Sequence, residues 1–371
     1  MLKARESVRT LKEYHPPLGD REGLRLDFNE NTAGCSPKVM ECLRNLGPEI
    51  LATYPVRERA EAVVAPHFGV SRDELLLTNG TDEAIHLVCE TYLDPGDEAI
   101  VVIPTFAMFE IYAAATGAKV ISIPAGADFE FPTEAVLAAI NSRTRFVAVA
   151  NPNNPTGTFA PVSDLKKIAR SAPDAAVLVD EAYFEFSGET IAPAWLELPN
   201  VFVSRTFSKA YGMAGLRIGV LMGNAEQMCM VRRASSPYNL NSVALVCLPS
   251  ALADQESVAR YVREAIEGRG QLQAELKTFT TQDTEVHRGT ATEMRYWPSR
   301  GNFVLIYLGA GCKPFIAAMR ERGILVRDRS ADHGCKGCVR ITVGAREHNQ
   351  RMLAALREVF AELRIREQVA R

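Results

Sequence analysis

Short apolar runs alternate with amphipathic stretches along the first two thirds of the chain. The runs predict strands at residues 75–77, 99–103, 120–123, 146–150, 177–179, 201–203 and 216–221. Two of the stretches between them, 81–92 and 105–115, have the spacing of helices. Strands that alternate with helices indicate a mostly parallel sheet with crossover helices. The pattern therefore predicts an α/β fold.

The pattern changes after about residue 242 of the chain. The remaining predicted elements are a charged helix at 257–279, a polar loop at 287–300, a strand at 303–307, a helix at 314–322 and a strand at 339–343. This mixture is typical of an α+β unit. A chain of 371 residues, 47% of them hydrophobic, is long enough for two domains. We expect an N-terminal arm at 1–30 that joins the small domain, a large domain at 31–245 and a small domain at 246–371.

Charge and hydropathy argue against two classes of partner. The formal net charge of −3 provides no basic footprint for nucleic acid. The chain has no run of about 18 apolar residues of the kind that spans a membrane. Residues 1–25 are charged and contain prolines, which is unlike a signal peptide. We therefore expect a cytoplasmic protein that binds neither nucleic acid nor membranes.

A lysine-containing segment follows the predicted strand 201–203. It reads SRTFSKAYGMAGLRIG over residues 204–219 and contains Thr206, Ser208, Lys209 and Arg217. Desolvation and nearby cations lower the pKa of a lysine, which suits its amine for a Schiff base. The two hydroxyls and the arginine together suit a phosphate. A phosphate-bearing aldehyde that binds lysine is pyridoxal 5′-phosphate (PLP), although the short SxK pattern alone favours a solvated loop lysine.

Two further segments supply groups that PLP needs. Asn154 lies in NPNNPTG, after the predicted strand 146–150, and Asp180 and Tyr183 lie in DEAY, after 177–179. A carboxylate must face the pyridine nitrogen to keep it protonated. Asp180 is well placed for this role because ligands of open α/β sheets bind outside the carboxyl ends of the strands. Asn154 and Tyr183 are suitable donors to the phenolic oxygen of the ring.

The start of the helix predicted at 81–92 is a candidate anion site. Free N–H groups at a helix N-terminus bind phosphate, and we assign the backbone of Thr81 and Asp82 to the PLP phosphate. Either side chain can also simply cap the helix, which is compatible with the same geometry.

The motifs together resemble the fold-type I, class I/II PLP-dependent aminotransferases, and histidinol-phosphate aminotransferases in particular. The residues that carry this resemblance are LDFNEN (26–31), Tyr54-Pro55, NGTDE (79–83), NPNNPTG (151–157), DEAY (180–183), RTFSKAYGMAGLRIG (205–219), VRD (326–328) and VRITVG (339–344). The resemblance implies a large domain with a mostly parallel sheet sandwiched by helices, plus a smaller α+β domain. Aromatic aminotransferases and threonine-phosphate decarboxylase share much of the pattern.

The resemblance also implies how two aromatic residues act. Phe106 stacks on the pyridine ring, where the family often has tyrosine, and keeps a flat apolar face there. Tyr54 matches a tyrosine that the neighbouring subunit contributes to the PLP site. This match implies a two-fold homodimer with shared active sites.

Substrate choice is assigned, again by resemblance, to Arg340, Arg327 and Tyr14. A bidentate guanidinium suits a carboxylate or a phosphate. Arg340 would bind the phosphate of histidinol phosphate and, in the other half-reaction, the α-carboxylate of glutamate. Arg327 adds a second positive charge, which favours a dianion. Asn29 and Glu30 are expected at the site entrance.

The predicted activity is therefore transamination between a small-molecule amino donor and a 2-oxo acid. Lys209 is the nucleophile and proton carrier, and Asp180 and Tyr183 support it. A decarboxylase could use the same residues. A ligand-sensing module behind a DNA-binding domain is disfavoured, because the catalytic pattern begins about 30 residues from Met1.

Cys335 and Cys338 form a CxxC pattern with His333 nearby. Such a pattern can bind zinc or act as a redox pair. No second ligand pair at suitable spacing accompanies it, and Cys338 leads into an apolar strand. We expect ordinary reduced thiols and no metal site.

Overall fold

The computed structural model describes residues 2–15, 21–286 and 294–369. Its strands are β1 (Leu24–Leu26), β2 (Leu75–Thr78), β3 (Glu98–Ile103), β4 (Lys119–Pro124), β5 (Thr144–Ala150), β6 (Ala176–Asp180), β7 (Val201–Thr206), β8 (Gly219–Gly223), β9 (Arg295–Tyr296), β10 (Phe303–Tyr307), β11 (Ile324–Asp328) and β12 (Cys338–Thr342). They form a seven-stranded and a five-stranded sheet.

Helices surround both sheets. They are α1 (Glu6–Arg9), α2 (Pro37–Arg44), α3 (Glu49–Ala52), α4 (Arg57–Phe68), α5 (Gly80–Tyr92), α6 (Met108–Thr116), α7 (Thr133–Ala139), α8 (Val162–Ser171), α9 (Phe184–Ser187), α10 (Ala225–Ala234), α11 (Ser242–Leu252), α12 (Gln255–Val286), α13 (Cys312–Glu321) and α14 (Arg346–Val369). Short 3₁₀ turns lie at Arg72–Glu74, Ala194–Leu196, Ala214–Leu216 and Gly309–Gly311. No helix in the described ranges is long and apolar enough to cross a membrane.

The seven-stranded sheet has the strand order β2-β8-β7-β6-β5-β3-β4. Strand β8 pairs antiparallel with both of its neighbours, whereas the other pairs are parallel. Its strands are apolar on both faces: Leu75 and Leu77 join one hydrophobic cluster, while Leu76 joins another. This alternation buries the sheet between two helical layers, as is expected for parallel strands. The α/β prediction with a sheet sandwiched by helices is confirmed.

The five-stranded sheet has the order β1-β11-β12-β10-β9. Strand β1, from the N-terminal part of the chain, pairs in parallel with β11, and the remaining pairs are antiparallel. Side chains of this sheet, such as Val304 and Ile341, belong to the same hydrophobic cluster as Leu75. The two sheets are therefore joined by a continuous core.

Three predicted boundaries were wrong. The helix predicted at 105–115 begins at Met108, because the Thr105 hydroxyl instead donates to the Asn153 side chain (2.7 Å), in the turn that follows β5. The strand predicted at 216–221 begins at Gly219, because Arg217 has left-handed backbone angles (φ 54°). The loop predicted at 287–300 contains strand β9, and its part at 287–293 lies outside the described residues.

Candidate active site

The candidate site lies at the carboxyl ends of β5, β6 and β7. Asp180 is the last residue of β6, Asn154 follows β5, and Lys209 follows β7. Parallel pairing of these strands aligns their ends, so the side chains converge at one edge of the sheet. This is the position at which α/β sheets bind ligands.

Asp180 is buried beneath this edge. Its Oδ1 accepts a hydrogen bond from the Ser204 hydroxyl (2.8 Å), which lies opposite it on β7. Burial raises the pKa of Asp180 to about 7, although the bond from Ser204 opposes the shift. A cationic group beside the carboxylate would hold it ionised. The environment therefore suits a partner such as a protonated ring nitrogen.

The amine of Lys209 donates to the backbone carbonyl of Phe28 (3.0 Å) and lies 6.0 Å from the centre of the Tyr183 ring. Burial lowers its pKa to about 8, and the positive charges of Arg340 and Arg217 act in the same direction. A lowered pKa increases the neutral, nucleophilic fraction of a lysine near neutral pH. Lys209 thus has the character that its sequence context predicts.

Tyr183 and Asn29 connect the two sheets at the site. The Asn29 side chain donates to the Tyr183 hydroxyl (2.9 Å) and accepts from the Thr342 hydroxyl on β12 (3.0 Å). Asn302 donates to the carbonyl of Asn29 (3.3 Å), whose backbone is left-handed (φ 54°). Burial raises the pKa of the Tyr183 phenol, so it stays a neutral hydroxyl. Asn29 therefore lies against Tyr183 inside the site rather than only at its entrance.

The predicted phosphate-binding residues gather at the N-terminus of α5. Arg217 donates to the Asp82 carboxylate (2.8 Å), and Gly80 begins the helix that also carries Thr81. A Cβ on Gly80 would lie 2.6 Å from Arg217 Nη2, and φ is +74° at this residue. The positive φ favours glycine here, and the absence of a Cβ lets the guanidinium lie against the helix end. The start of α5 and the Arg217 guanidinium thus lie side by side, and both suit an anion.

Two hydroxyl residues of the lysine segment support the same region. Thr206 ends β7, and its hydroxyl accepts from the backbone N–H of Ser208 (3.1 Å). Both side chains are buried. This bond shapes the turn that leads from the strand into Lys209.

Arg340 is buried in β12, opposite Arg327 of β11. Its Nη1 contacts the side-chain oxygen of Asn154, and its Nη2 donates to the Asp27 carbonyl (2.6 Å). Burial, followed by the charge of Arg329, lowers the pKa of Arg340 to about 9. Near pH 7 the guanidinium therefore remains cationic and suits an anion.

Arg327 stacks over the Phe28 ring, 4.8 Å from its centre. Tyr14 raises the pKa of Arg327 electrostatically, whereas burial lowers it more strongly. Tyr14 is itself 46% exposed. The structure therefore brings Arg327 and Arg340 together, whereas Tyr14 is exposed and is linked to Arg327 only by its electrostatic effect.

Phe106 and Tyr54 each pack against an aromatic residue that is not among the predicted site residues. Phe106 is partly buried and contacts Phe109 edge to face, at 6.1 Å. Tyr54 is 78% exposed and packs on Tyr238, at 4.5 Å. Within the described residues no hydrogen bond or ring contact joins Tyr54 to Lys209 of the same chain. The roles of both aromatic residues stay predictions.

Sequence reasoning missed several groups of the site. Ser204 could have been found from the alignment of two neighbouring strands, since it lies opposite Asp180. Phe28 and Thr342 lie within LDFNEN and VRITVG, but neither residue was itself assigned to the site, and Asn302 lies outside the named motifs. They enter it through contacts between segments that are far apart in the sequence.

Cys335 and Cys338 are buried free thiols. They pack with Phe129, Trp297 and Leu305, and Cys338 begins β12. In the part of the chain that the structure describes, no group of three or more His, Cys, Asp or Glu residues is arranged to hold a metal ion. The two cysteines therefore belong to a small apolar cluster at the start of β12, the strand that carries Arg340.

The arrangement fits PLP. Its donor set comprises an amine of lowered pKa, a buried carboxylate that requires a cation, a neutral phenol and an arginine beside a helix N-terminus. These groups match the aldehyde, the pyridine nitrogen, the phenolic oxygen and the phosphate of the cofactor, respectively.

Curated relatives match nearly the whole chain. A protein of Geobacillus sp. (strain WCH70) named histidinol-phosphate aminotransferase is 35% identical over 366 residues, which is 95% of this chain and 94% of that protein. A protein of the same name from Moorella thermoacetica is 31% identical over 97% of this chain and 93% of its own length.

Solved structures have the same fold. The histidinol-phosphate aminotransferase of Sinorhizobium meliloti, solved in complex with pyridoxal 5′-phosphate, superposes with a TM-score of 0.83 at 22% identity. The match covers 98% of this chain and 99% of that one. An L-threonine-O-3-phosphate decarboxylase from Porphyromonas gingivalis has a TM-score of 0.73 at 24% identity, over 91% of this chain and 99% of that one. The family model described as aminotransferase class I and II matches residues 21–356. The chain therefore belongs to the class I and II aminotransferase family.

Proposed function

We propose that this protein is a PLP-dependent transaminase that transfers the amino group of histidinol phosphate to 2-oxoglutarate, in histidine biosynthesis in the cytoplasm. The observation that carries the substrate assignment is the pair of buried arginines on neighbouring strands, Arg327 and Arg340. Two guanidiniums at one position favour a dianionic group over a carboxylate. The names of the curated relatives agree with this assignment.

The cofactor would bind through residues of the seven-stranded sheet. Lys209 would hold its aldehyde carbon, and Asp180 would face its ring nitrogen. The phosphate would lie against Ser208, Arg217 and the N-terminus of α5. Thr81, Asp82 and Thr206 support the phosphate position, and Phe106 would cover the ring. When bound, PLP supplies an electron sink that stabilises the carbanion formed on the substrate.

Lys209 is the proton carrier in this proposal. When it is not bonded to the cofactor, the neutral amine of Lys209 would accept the proton from the substrate Cα, and its ammonium form would donate that proton back. A base is efficient when its pKa lies near the working pH. The pKa of about 8 satisfies this condition.

Asp180 and Tyr183 would tune the ring. Ionised Asp180, kept in place by Ser204, would hold the proton on the ring nitrogen. The Tyr183 hydroxyl and the Asn154 amide would donate to the phenolic oxygen. The Asn154 oxygen already contacts Arg340, which leaves its amide nitrogen as the donor side.

The active protein is proposed to be a homodimer. Tyr54 is largely exposed, as are Leu51, Val56 and Tyr238, so this surface is apolar as well as accessible. An exposed apolar patch of this kind is typical of a protein interface. Across a two-fold axis Tyr54 would reach the PLP phosphate of the partner subunit.

The division into an arm at 1–30, a large domain at 31–245 and a small domain at 246–371 is part of the same proposal. Its support is the sheet composition, because all strands of the seven-stranded sheet lie between Leu75 and Gly223. The five-stranded sheet instead combines Leu24–Leu26 with strands that follow Arg295.

Single-turnover reactions of the PLP-loaded protein test the substrate assignment. We expect histidinol phosphate to convert the cofactor faster than phenylalanine does, with 2-oxoglutarate as the acceptor that restores it. Lys209→Ala is the matched control and should lose turnover by several orders of magnitude. Preference for phenylalanine would favour an aromatic aminotransferase. Release of CO₂ from threonine phosphate would favour a decarboxylase.

Hybrid dimers test the shared site. Mixing chains that carry Tyr54→Phe with chains that carry Lys209→Ala creates dimers in which one site has both native residues. We expect partial recovery of activity relative to either variant alone. Absence of recovery after subunit exchange has been verified by mass would contradict the role of Tyr54 across the interface.

A further inference from the structure

A third arginine lies beside the proposed substrate arginines. Arg329 follows β11, and its backbone N–H donates to the Cys338 carbonyl at the start of β12 (2.9 Å). Its side chain is only 12% exposed. Arg327 pairs with Arg340 across the two strands, and Arg329 lies two residues beyond Arg327, so their side chains leave β11 and its extension on the same face. Consistent with this placement, the positive charge of Arg329 lowers the pKa of Arg340 and of Arg327. None of the motifs that pointed to the site assigns a role to Arg329.

The counter-ion of Arg329 is Asp332. The two side chains form an ion pair three residues apart, and the Asp332 N–H donates to the Arg329 carbonyl (2.9 Å). Asp332 also raises the pKa of Arg340 and of Arg327. Asp332 thus contacts Arg329 directly, and Asp27, which pairs with Arg21, also raises the pKa of Arg327.

Each of the three arginines Arg327, Arg329 and Arg340 has a hydrogen-bond donor without an acceptor among the described residues. Among the described residues, Arg327 Nη1, Arg329 Nε and Arg340 Nε are buried and have no hydrogen-bond partner, whereas Asp332 Oδ2 contacts the Arg329 guanidinium. Buried N–H groups without a partner cost free energy, so their concentration in one place indicates a missing acceptor. Three donors from three cations match an oxyanion with several terminal oxygens.

We propose that Arg329 is a third ligand of the phosphate of the amino donor, and that Asp332 holds its guanidinium until the phosphate takes the place of the carboxylate. This inference rests on the proposed function. The α-carboxylate of glutamate has two oxygens and one charge, which Arg340 satisfies bidentately. A phosphate has three terminal oxygens and nearly two charges, so it gains from each further cation. Arg329 should therefore increase the affinity for the phosphate-bearing substrate without increasing the affinity for glutamate.

Binding of inorganic phosphate to the PLP-loaded protein, measured by calorimetry, tests this role. The loaded form is used because the cofactor's own phosphate then fills the α5 position. We expect Arg329→Gln to weaken phosphate binding about 10-fold, the loss of one charge-assisted bond. Asp332→Asn should strengthen binding, since it removes the competing carboxylate. Opposite signs for the two variants are an outcome that a merely structural ion pair does not give.

Arg322→Gln is the matched control. Arg322 also lies in the C-terminal part of the chain and pairs with Glu358 and Glu362 (both 3.0 Å), and we expect its replacement to leave phosphate binding unchanged. If Arg329→Gln fails to fold, Arg329→Lys replaces it in the experiment. It keeps the charge and should retain part of the affinity for phosphate.

Half-reactions separate this inference from the proposed function. In Arg329→Gln the reaction with histidinol phosphate should slow about 10-fold at low substrate, whereas the reaction with glutamate should change by less than about twofold. Equal losses, or weaker phosphate binding in both Arg329→Gln and Asp332→Asn, would overturn the role of Arg329. Wild-type protein that rejects histidinol phosphate would instead overturn the proposed function, and the calorimetry would still decide whether Arg329 binds a phosphate.

Discussion

Arg205 and the group of Arg327, Arg329 and Arg340 all lie close to the candidate site, and their surroundings differ. Arg205, on β7, donates to Glu181 through Nε (3.0 Å) and Nη2 (2.8 Å). Its Nη2 also donates to Thr190 (2.8 Å), and its plane lies 3.6 Å from the centre of the Phe184 ring. Glu181 accepts further bonds from Thr190 and from the Ile191 N–H. The ion pair is complete within the protein.

The arginines of the five-stranded sheet and of the loop after β11 differ from Arg205, because their guanidiniums are not fully hydrogen-bonded within the described part of the chain. Arg327, Arg329 and Arg340 each retain a buried nitrogen without a partner among the described residues. Burial lowers the pKa of Arg340 to about 9, whereas at Glu181 the positive charge of Arg205 opposes the effect of burial on the carboxyl. A complete pair stabilises the fold, and an incomplete set is prepared for a ligand. Burial alone does not distinguish the two roles.

The largest expected effect concerns stability. Arg205→Met leaves Glu181 buried without its cation, so it should lower the free energy of unfolding by about 3–5 kcal/mol. Arg340→Met removes a cation that has no carboxylate of its own and should leave the stability unchanged or increase it. Urea denaturation of the cofactor-free protein measures both values. Similar losses in the two variants would remove the distinction between complete and incomplete arginines.

The second effect concerns substrate selection. Arg327→Ala should reduce kcat/KM for histidinol phosphate by roughly 10- to 100-fold, since a charge-assisted bond contributes about 1.5–3 kcal/mol. The glutamate half-reaction should suffer less, whereas Arg340→Ala should damage both. Single-turnover measurements with each donor give the comparison. Equal losses for both donors in Arg327→Ala would show that this arginine does not discriminate between the two anions.

The smallest expected effect is a shift in the pH dependence of PLP incorporation at Lys209. Arg340 lowers the pKa of Lys209, second only to burial, so Arg340→Gln should raise this pKa from its value of about 8. The neutral amine reacts, and it predominates above the pKa; the pH midpoint for PLP incorporation into the cofactor-free protein should therefore move upward. Borohydride trapping followed by mass spectrometry measures incorporation at each pH. A midpoint that moves downward would contradict the electrostatic coupling.

The sequence was sufficient where chemistry is concentrated in short motifs. Lys209, Asp180 and Asn154 each follow a strand whose apolar run is evident, so their meeting at one sheet edge could be predicted. Strand identity was equally accessible, because apolar strands of a sheet that is buried on both faces contrast with the polar turns between them.

The sequence was insufficient where a contact depends on backbone conformation or on distant pairing. The left-handed angles of Asn29 and Arg217 shortened one predicted strand and placed one predicted entrance residue against Tyr183. Arg329 has the sequence context of an ordinary loop residue; only the pairing of β11 with β12 sets it beside Cys338, on the strand that carries Arg340. Such roles follow from tertiary register, which the local pattern does not encode.

The close approach of Arg217 to Gly80 has a genetic consequence. A Cβ at this residue would lie 2.6 Å from the guanidinium, and the φ of +74° strains any other residue there. In the genetic code, every single-nucleotide change that alters a glycine codon yields either a stop codon or an amino acid that has a Cβ. Every missense change at codon 80 therefore adds a Cβ to a backbone that disfavours one, whereas synonymous changes leave the contact with Arg217 intact.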